Sequence, residues 1–118
     1  MSYSIIALVT AIGTLVLGSI FMFSGSTILK QWGVQVSENI QIVSRRLGAT
    51  YLGVSTLFFL SITSMPTTNA IAIGAAVMSA LLAITGVVEF RAGRVNKGII
   101  RSIVIELLLS IGLLSTLL

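Results

Sequence analysis

Four long runs of apolar residues, separated by shorter connections, dominate the pattern of hydrophobic and polar positions along the chain. They cover residues 4–23, 47–64, 70–88 and 99–118, with hardly any charge inside them. A helix needs about 20 predominantly apolar residues to cross a membrane, and lipid offers no partners to a backbone that is not helical. The pattern therefore predicts one all-α domain over residues 1–118, an integral membrane four-helix bundle.

The composition argues against a soluble fold. Hydrophobic residues make up 56% of the 118 residues and charged residues only 8%, whereas a soluble domain carries about 25% charged residues. Seven basic and three acidic side chains cannot cover the surface that a soluble fold of this size exposes to water. The net charge of +4 would favour nucleic-acid binding in a soluble protein, but here we expect the lipid bilayer as partner and no nucleic acid.

The basic residues are distributed unevenly, and this asymmetry predicts an orientation. All seven lie in the first and third connections or just inside the fourth span: Lys30, Arg45, Arg46, Arg91, Arg94, Lys97 and Arg101. The N-terminal segment 1–3 and the turn 65–69 carry no charged side chain. Basic loops stay cytoplasmic, so both termini of a four-span protein should face outward. The sequence thus predicts a multi-pass protein of the cell inner (cytoplasmic) membrane, with the first span retained rather than cleaved as a secretory signal.

The connection 24–44 is half apolar and is not expected to be a plain loop. Trp32 beside Lys30 suits the headgroup level, where an aromatic ring and a long basic side chain can both reach polar groups. We therefore predict an interfacial segment between the first two spans. Ser37 is predicted to cap a helix that continues into the second span.

The short turn 65–69 should make the second and third spans antiparallel neighbours. Pro66 should end the second helix, because the residue before a proline is disfavoured in the helical region. Thr68 or Asn69 should cap the third helix by accepting hydrogen bonds from its free N–H groups.

Small residues recur at four-residue spacing along the spans. The matches are Thr14 with Gly18, Ala49 with Gly53, and Ala72 with Ala76 and Ala80, while Ser102, Glu106 and Ser110 form a polar stripe on the fourth span. Small side chains let membrane helices approach closely, which compensates for the weak hydrophobic drive between helices in lipid. The spacing predicts close packing, with the partner helix in the same chain or in another.

Glu106 is the carboxylate predicted to lie deep in a span, about 10 Å below the cytoplasmic edge. A charged group there is costly and marks either a functional site or a buried pair. As a functional group it would carry a proton or a cation. As a structural group it would pair with Arg45, Arg46 or Arg101, or accept a hydrogen bond from Tyr51 at similar depth. The nearby arginines favour the structural interpretation.

Six residues of the cytoplasmic side are candidates for contact with lipid headgroups: Lys30, Trp32, Arg45, Arg91, Arg94 and Lys97. A cluster of positive charge at this level attracts anionic headgroups. The same residues would also be present if they only anchored the topology of the chain, and we favour that interpretation.

Three residue types are missing, and their absence excludes several chemistries. The chain contains no histidine, cysteine or aspartate. It therefore cannot supply the usual ligands of a zinc, haem or iron–sulfur centre, or the histidine of a catalytic triad. We expect no enzyme activity, no catalytic residue, no metal site and no cofactor.

One segment resembles a known group of proteins. Residues 46–53 have the sequence RLGATYLG and follow KQWG at 30–33. This segment is similar to the small four-helix bacterial membrane proteins of the DoxX-like families. The resemblance implies the four-helix architecture more than a function, because most of those families have no assigned activity. Gly25 and Ser26 stand where such a protein would be expected to have a proline.

Two classes of function remain. The first is an accessory or structural subunit that packs against a larger membrane complex or against itself, which the near absence of polar groups in spans one and three favours. The second is a small proton-coupled transporter or channel in which Glu106 is the coupling acid. The small multidrug exporters are similar in size and helix number, but they carry their acid in the first helix, and here the first span has no charge.

Overall fold

The computed structural model describes residues 3–117 and contains four helices. They are α1 (Tyr3–Gln31), α2 (Glu38–Ser61), α3 (Thr67–Arg91) and α4 (Gly98–Ser115). No strand occurs in the described part of the chain, so the all-α prediction is confirmed. Met1, Ser2 and Leu118, at the ends of the predicted N-terminal segment and of the fourth span, lie outside the described residues.

Three helices, α1, α3 and α4, are long and apolar enough to cross a membrane. The second helix is long enough but less apolar, because its first half carries Glu38, Arg45 and Arg46. Residues 47–61 of the predicted span 47–64 therefore form the apolar second part of a longer helix, and residues 62–64 lie beyond its end.

The four helices pack in chain order and form a single flat row. Within residues 3–117, α2 packs between α1 and α3, and α4 packs against α3 alone. The Cα atoms span 43 × 35 × 13 Å, so the row is much thinner than it is wide. Consequently α1 and α4 form the two edges of the row and do not contact each other.

Successive contacts show that neighbouring helices are antiparallel. Along α1 and α2, the hydroxyl of Tyr3 donates to Ser61 and that of Ser55 donates to the carbonyl oxygen of Ala11. Further along the same pair, Gly18 lies against Gly48. The residue numbers rise on one helix as they fall on the other. The same order holds for α3 and α4, where Ser110 donates to the Ala76 carbonyl and Gly86 lies against Ile103.

Glycines lie where the helices approach most closely. A Cβ atom added at Gly48 would lie 2.7 Å from the carbonyl oxygen of Gly18 and 2.8 Å from the backbone nitrogen of Met22. In the interface between α2 and α3, Gly53 lies against Met78 and Gly74 lies against Leu57. Neither glycine position has room for a side chain. Small residues thus permit close approach of the helix backbones along the row.

The connection between α1 and α2 is shorter than predicted. The first helix continues to Gln31, with a kink at Ser24 (φ −143°, ψ 35°), so the connection is limited to residues 32–37. Gly33 has a φ of +75° and ends α1, and the next residue, Val34, donates its N–H to the carbonyl of Leu29. This left-handed glycine is a common helix ending. The interfacial position of this segment stays a prediction.

The predicted cap of α2 is confirmed, whereas the predicted boundaries at the other turn are wrong. The Ser37 side chain accepts a hydrogen bond from the N–H of Ile40. At the second turn, α2 already ends at Ser61, and Pro66 instead provides the N-cap position of α3. Proline suits the start of a helix because the first N–H groups need no intrahelical partner. Thr68 and Asn69 therefore lie inside α3, which has no side-chain cap.

Replacing Ser37 with alanine should destabilise the first turn of α2 by about 1 kcal/mol, because an N–H group loses its side-chain acceptor. Hydrogen exchange of the Ile40 amide should become faster in Ser37→Ala. Ser37→Asp keeps an acceptor at the cap and should preserve protection. Equal exchange in Ser37→Ala and the parent protein would show that the cap contributes nothing.

Candidate functional site

The charged side chains within the helices lie near one end of the helices, the end at which the α1–α2 and α3–α4 connections lie. Arg45 and Arg46, adjacent on α2, both reach acidic residues of other helices. Arg45 pairs with Glu89 of α3 and Arg46 pairs with Glu106 of α4. The helix with the lowest hydropathy is therefore tied by ion pairs to the two helices that follow it.

Glu89 is the most enclosed charged group of the site. Its side chain is 1% exposed, and its two oxygens accept hydrogen bonds from the Nε atoms of Arg45 and Arg94. The hydrogen bond with this carboxylate raises the pKa of Arg94, which lies in the loop after α3, above its ordinary value. Arg94 therefore stays charged, and each oxygen of the buried carboxylate has a cationic partner.

The end of α3 explains how Arg94 reaches Glu89. Gly93 adopts a φ of +75°, its N–H donates to the carbonyl of Phe90, and the N–H of Arg94 donates to the carbonyl of Glu89. These paired hydrogen bonds define a Schellman motif, which needs a residue able to adopt a left-handed conformation. The reversal of the chain at Gly93 brings the Arg94 side chain back over the last turn of the helix.

Arg46 reaches α4 by crossing over α3. Its Nη1 donates to the carbonyl oxygen of Leu82 at 3.2 Å, and its Nη2 donates to Oε1 of Glu106. Gly86 makes this route possible, because a Cβ atom there would lie 2.8 Å from Ile103 and 3.5 Å from the Arg46 guanidinium. A single arginine thus connects α2, α3 and α4.

Only one of the two carboxylate oxygens of Glu106 has a hydrogen-bond partner within residues 3–117. Its side chain is 14% exposed, and Oε2 is buried with no hydrogen-bond partner among residues 3–117. The carboxylate lies about 12 Å along α4 from Gly98, at 1.5 Å per residue. Of the partners considered from the sequence, Arg46 is the one that pairs with it. The free oxygen is the clearest unpaired polar atom inside the helices.

The other candidate residues are placed apart from this pair. Tyr51 stacks on Phe21 of α1, with ring centroids 5.8 Å apart and an interplanar angle of 6°, so it packs in the α1–α2 interface. The ring of Trp32 also contacts Phe21, with ring centroids 5.6 Å apart. The remaining basic candidates are exposed and lie at the same end of the helices as the ion pairs: Lys30, Arg91, Lys97 and Arg101.

The sequence pattern does not single out Glu89, whose side chain is buried in the structure. Its position two residues before the end of α3 hides it from a hydropathy pattern. A signal was present in the sequence Glu-Phe-Arg-Ala-Gly-Arg over residues 89–94, because a glycine that ends the helix brings the next residue back towards the last turn.

The arrangement consists of ion pairs between helices. In the described part of the chain, no three side chains of the types that bind metal lie together. No family model, curated protein or solved structure matches the chain. The resemblance to the DoxX-like families accordingly stays a prediction.

Replacing Glu89 with glutamine should destabilise the protein by about 2 kcal/mol, because the hydrogen bonds from Arg45 and Arg94 lose their charged acceptor. The midpoint of thermal unfolding in detergent, followed by circular dichroism, should fall. Glu38→Gln is the matched control, since Glu38 is exposed at the start of α2. Equal midpoints for the two variants would contradict a structural role of the Glu89 pairs.

Proposed function

We propose that the chain is a small multi-pass membrane protein without catalytic activity, an accessory or structural subunit that packs against a larger membrane complex or against itself. The observation that carries the proposal is the open row of helices: α1 and α4 each contact one neighbour in the described structure. Both edges carry large exposed apolar side chains along their length, such as Val9 and Val16 on α1 and Leu108 and Ile111 on α4. These edges are available to helices of a partner.

Four crossings are part of this proposal. The connection 32–37 and the turn 62–66 are too short to carry the chain back across a bilayer. If α1 and α3 both span, the antiparallel α2 between them must span as well. Pairing of Arg45 with Glu89 and of Arg46 with Glu106 reduces the cost of its charges. The resemblance to DoxX-like proteins is compatible with the same architecture.

The proposed orientation places both termini outside, in the cell inner (cytoplasmic) membrane. All seven basic residues lie towards one end of the row, and basic loops are retained in the cytoplasm. Single-cysteine variants Thr63→Cys and Lys97→Cys test this directly, because the natural chain has no cysteine. A membrane-impermeant maleimide should label position 63 from outside intact cells and position 97 only after the membrane is opened. The reverse labelling would overturn the orientation.

The subunit proposal is tested by asking what accompanies the chain out of the membrane. Native mass spectrometry after mild detergent extraction should show the chain in a complex of fixed stoichiometry, with itself or with other membrane proteins. Single cysteines at Val9 and Leu108, one on each edge, should identify the edge in contact by cross-linking. Recovery of the chain as a monomer, without cross-links from either edge in native membranes, would refute the proposal.

A second candidate function is proton-coupled transport, for which Oε2 of Glu106 is the specific supporting observation. This oxygen is buried and has no hydrogen-bond partner within residues 3–117, so it is the atom at which a coupling acid would act. Purified chain in proteoliposomes should then carry a proton flux that Glu106→Gln abolishes and Glu38→Gln preserves. Absence of flux, or an unchanged flux in Glu106→Gln, would remove this candidate and leave the structural subunit.

A further inference from the structure

A polar cavity lies where α1 bends, beside the ion pair of Arg45 and Glu89. Its volume is about 220 Å³, and it is lined by the kinked segment of α1 and by the first turns of α2. The kink at Ser24 is next to Gly25, and neighbouring glycine and serine residues are a common cause of such bends. Gly25 lies so close to Ser44 that an added Cβ atom would collide with its hydroxyl.

The polar lining of the cavity is basic and otherwise uncharged. It comprises Ser24, Ser26, Gln41, Ser44 and Arg45, with no acidic residue. The Ser44 hydroxyl donates to the carbonyl of Phe21 at 3.1 Å. Within residues 3–117, the side chains of Ser24, Ser26 and Gln41 form no hydrogen bond with other protein groups. The cavity therefore holds several side chains able to donate to a ligand.

Arg45 supplies the charge of this cavity. Only its Nε is engaged by Glu89, so both terminal nitrogens remain without a protein partner in the described structure. Glu89 is shared between Arg45 and Arg94, which leaves this group of three with a net charge of +1. The local excess of positive charge and the free guanidinium nitrogens favour an anion, and guanidinium groups bind phosphate oxygens with good geometry.

We propose that the cavity at the α1 kink binds a phosphate-type oxyanion, such as the phosphate of an anionic lipid headgroup inserted between α1 and α2. The proposal rests on the proposed membrane placement of the chain. Arg45 provides the charged hydrogen bonds, and Ser24, Ser26 and Gln41 provide neutral ones. Trp32 and Lys30 lie at the same end of α1, where the headgroup region is expected.

Native mass spectrometry of the full chain tests the site with phosphatidylglycerol as the probe and phosphatidylcholine as the comparison. Retention of phosphatidylglycerol should fall about tenfold in Arg45→Gln, which loses the charged donors, and about fivefold in Gln41→Leu, which loses a neutral one. Arg91→Gln is the matched control, since it removes one exposed positive charge at the same end but outside the cavity. Its retention should stay within about twofold of the parent.

The source of the oxyanion is decided by competition with inorganic phosphate. Displacement of phosphatidylglycerol by millimolar phosphate would show that the site accepts a free oxyanion, and persistence of the lipid would identify the headgroup as the ligand. Equal retention of phosphatidylcholine, or equal losses in Arg45→Gln and Arg91→Gln, would overturn the proposal. Gln41→Leu leaves every ion pair intact and decides the matter if Arg45→Gln fails to fold.

Failure of this test is distinguishable from failure of the proposed function. Orientation and subunit association are measured by labelling and cross-linking, and neither depends on lipid at the α1 kink. A chain that crosses the membrane as proposed but retains both lipids equally would lose the headgroup site alone.

Discussion

Replacing Arg46 with leucine alone is expected to destabilise the protein by about 3 to 5 kcal/mol, the cost of leaving a buried charge without its partner. In the parent structure Arg46 donates to Oε1 of Glu106 and to the carbonyl oxygen of Leu82. Its loss would leave both Glu106 oxygens unpaired, because Oε2 already has no partner within residues 3–117. Thermal unfolding in detergent micelles measures the change.

The double variant Arg46→Leu/Glu106→Leu separates the penalty of an unpaired charge from the contribution of the ion pair. Since apolar replacement of a buried pair is often neutral or stabilising, the double variant should recover most of the stability lost in the single one. Arg101→Leu removes an exposed charge near the start of α4 and should change the stability little. A double variant as unstable as Arg46→Leu would show that Arg46 acts through Leu82 rather than through Glu106.

The helices of this protein were largely predictable because each depends on a local pattern. Long apolar runs identified α1, α3 and α4, and the serine before an apolar segment identified the start of α2. The turn boundaries were not predictable to the same degree. Pro66 was expected to end one helix and instead begins the next, since proline is disfavoured within a helix but compatible with its first turn.

The ion-pair site was predictable only in part. A carboxylate inside a span signals a partner, and the pair of arginines on α2 supplied the candidates, but the choice of Arg46 depends on tertiary structure. Arg46 reaches Glu106 because Gly86 leaves the surface of α3 open beneath the guanidinium. No local pattern in α3 marks Gly86 as a crossing point for a side chain from another helix.

The sequence pattern also did not predict that the helices pack in chain order in a flat row. Four-residue spacing of small side chains shows that a helix has a face suited to close packing, without specifying which helix lies there. In the structure, Gly18 meets Gly48 and Gly74 meets Leu57, so α2 uses two faces and occupies the interior of the row. The edge helices α1 and α4 have one neighbour each. Single-neighbour packing makes α1 unusually dependent on one interface.

Substitution of leucine for Gly48 should therefore separate α1 from the rest of the protein. Even a Cβ atom at this position would lie within 2.8 Å of backbone atoms of Gly18 and Met22, which cannot rotate away as a flexible side chain could. Overpacking of this kind costs about 1 to 3 kcal/mol or more, and α1 has no second interface to hold it. A disulfide between cysteines at Ala11 and Ser55, which are in contact in the parent, reports the separation, and cross-linking should be lost in Gly48→Leu.

Gly13→Leu is the control for this experiment, because Gly13 lies on α1 itself and no atom of another helix is within 4 Å of its Cβ position. Cross-linking between positions 11 and 55 should persist in that variant, since the added side chain would extend away from α2. Loss of the disulfide in both variants would mean that the loss does not depend on the close contact at Gly48. Its retention in both would contradict the prediction, because α1 and α2 would then accommodate a side chain where the backbones of Gly18 and Gly48 approach.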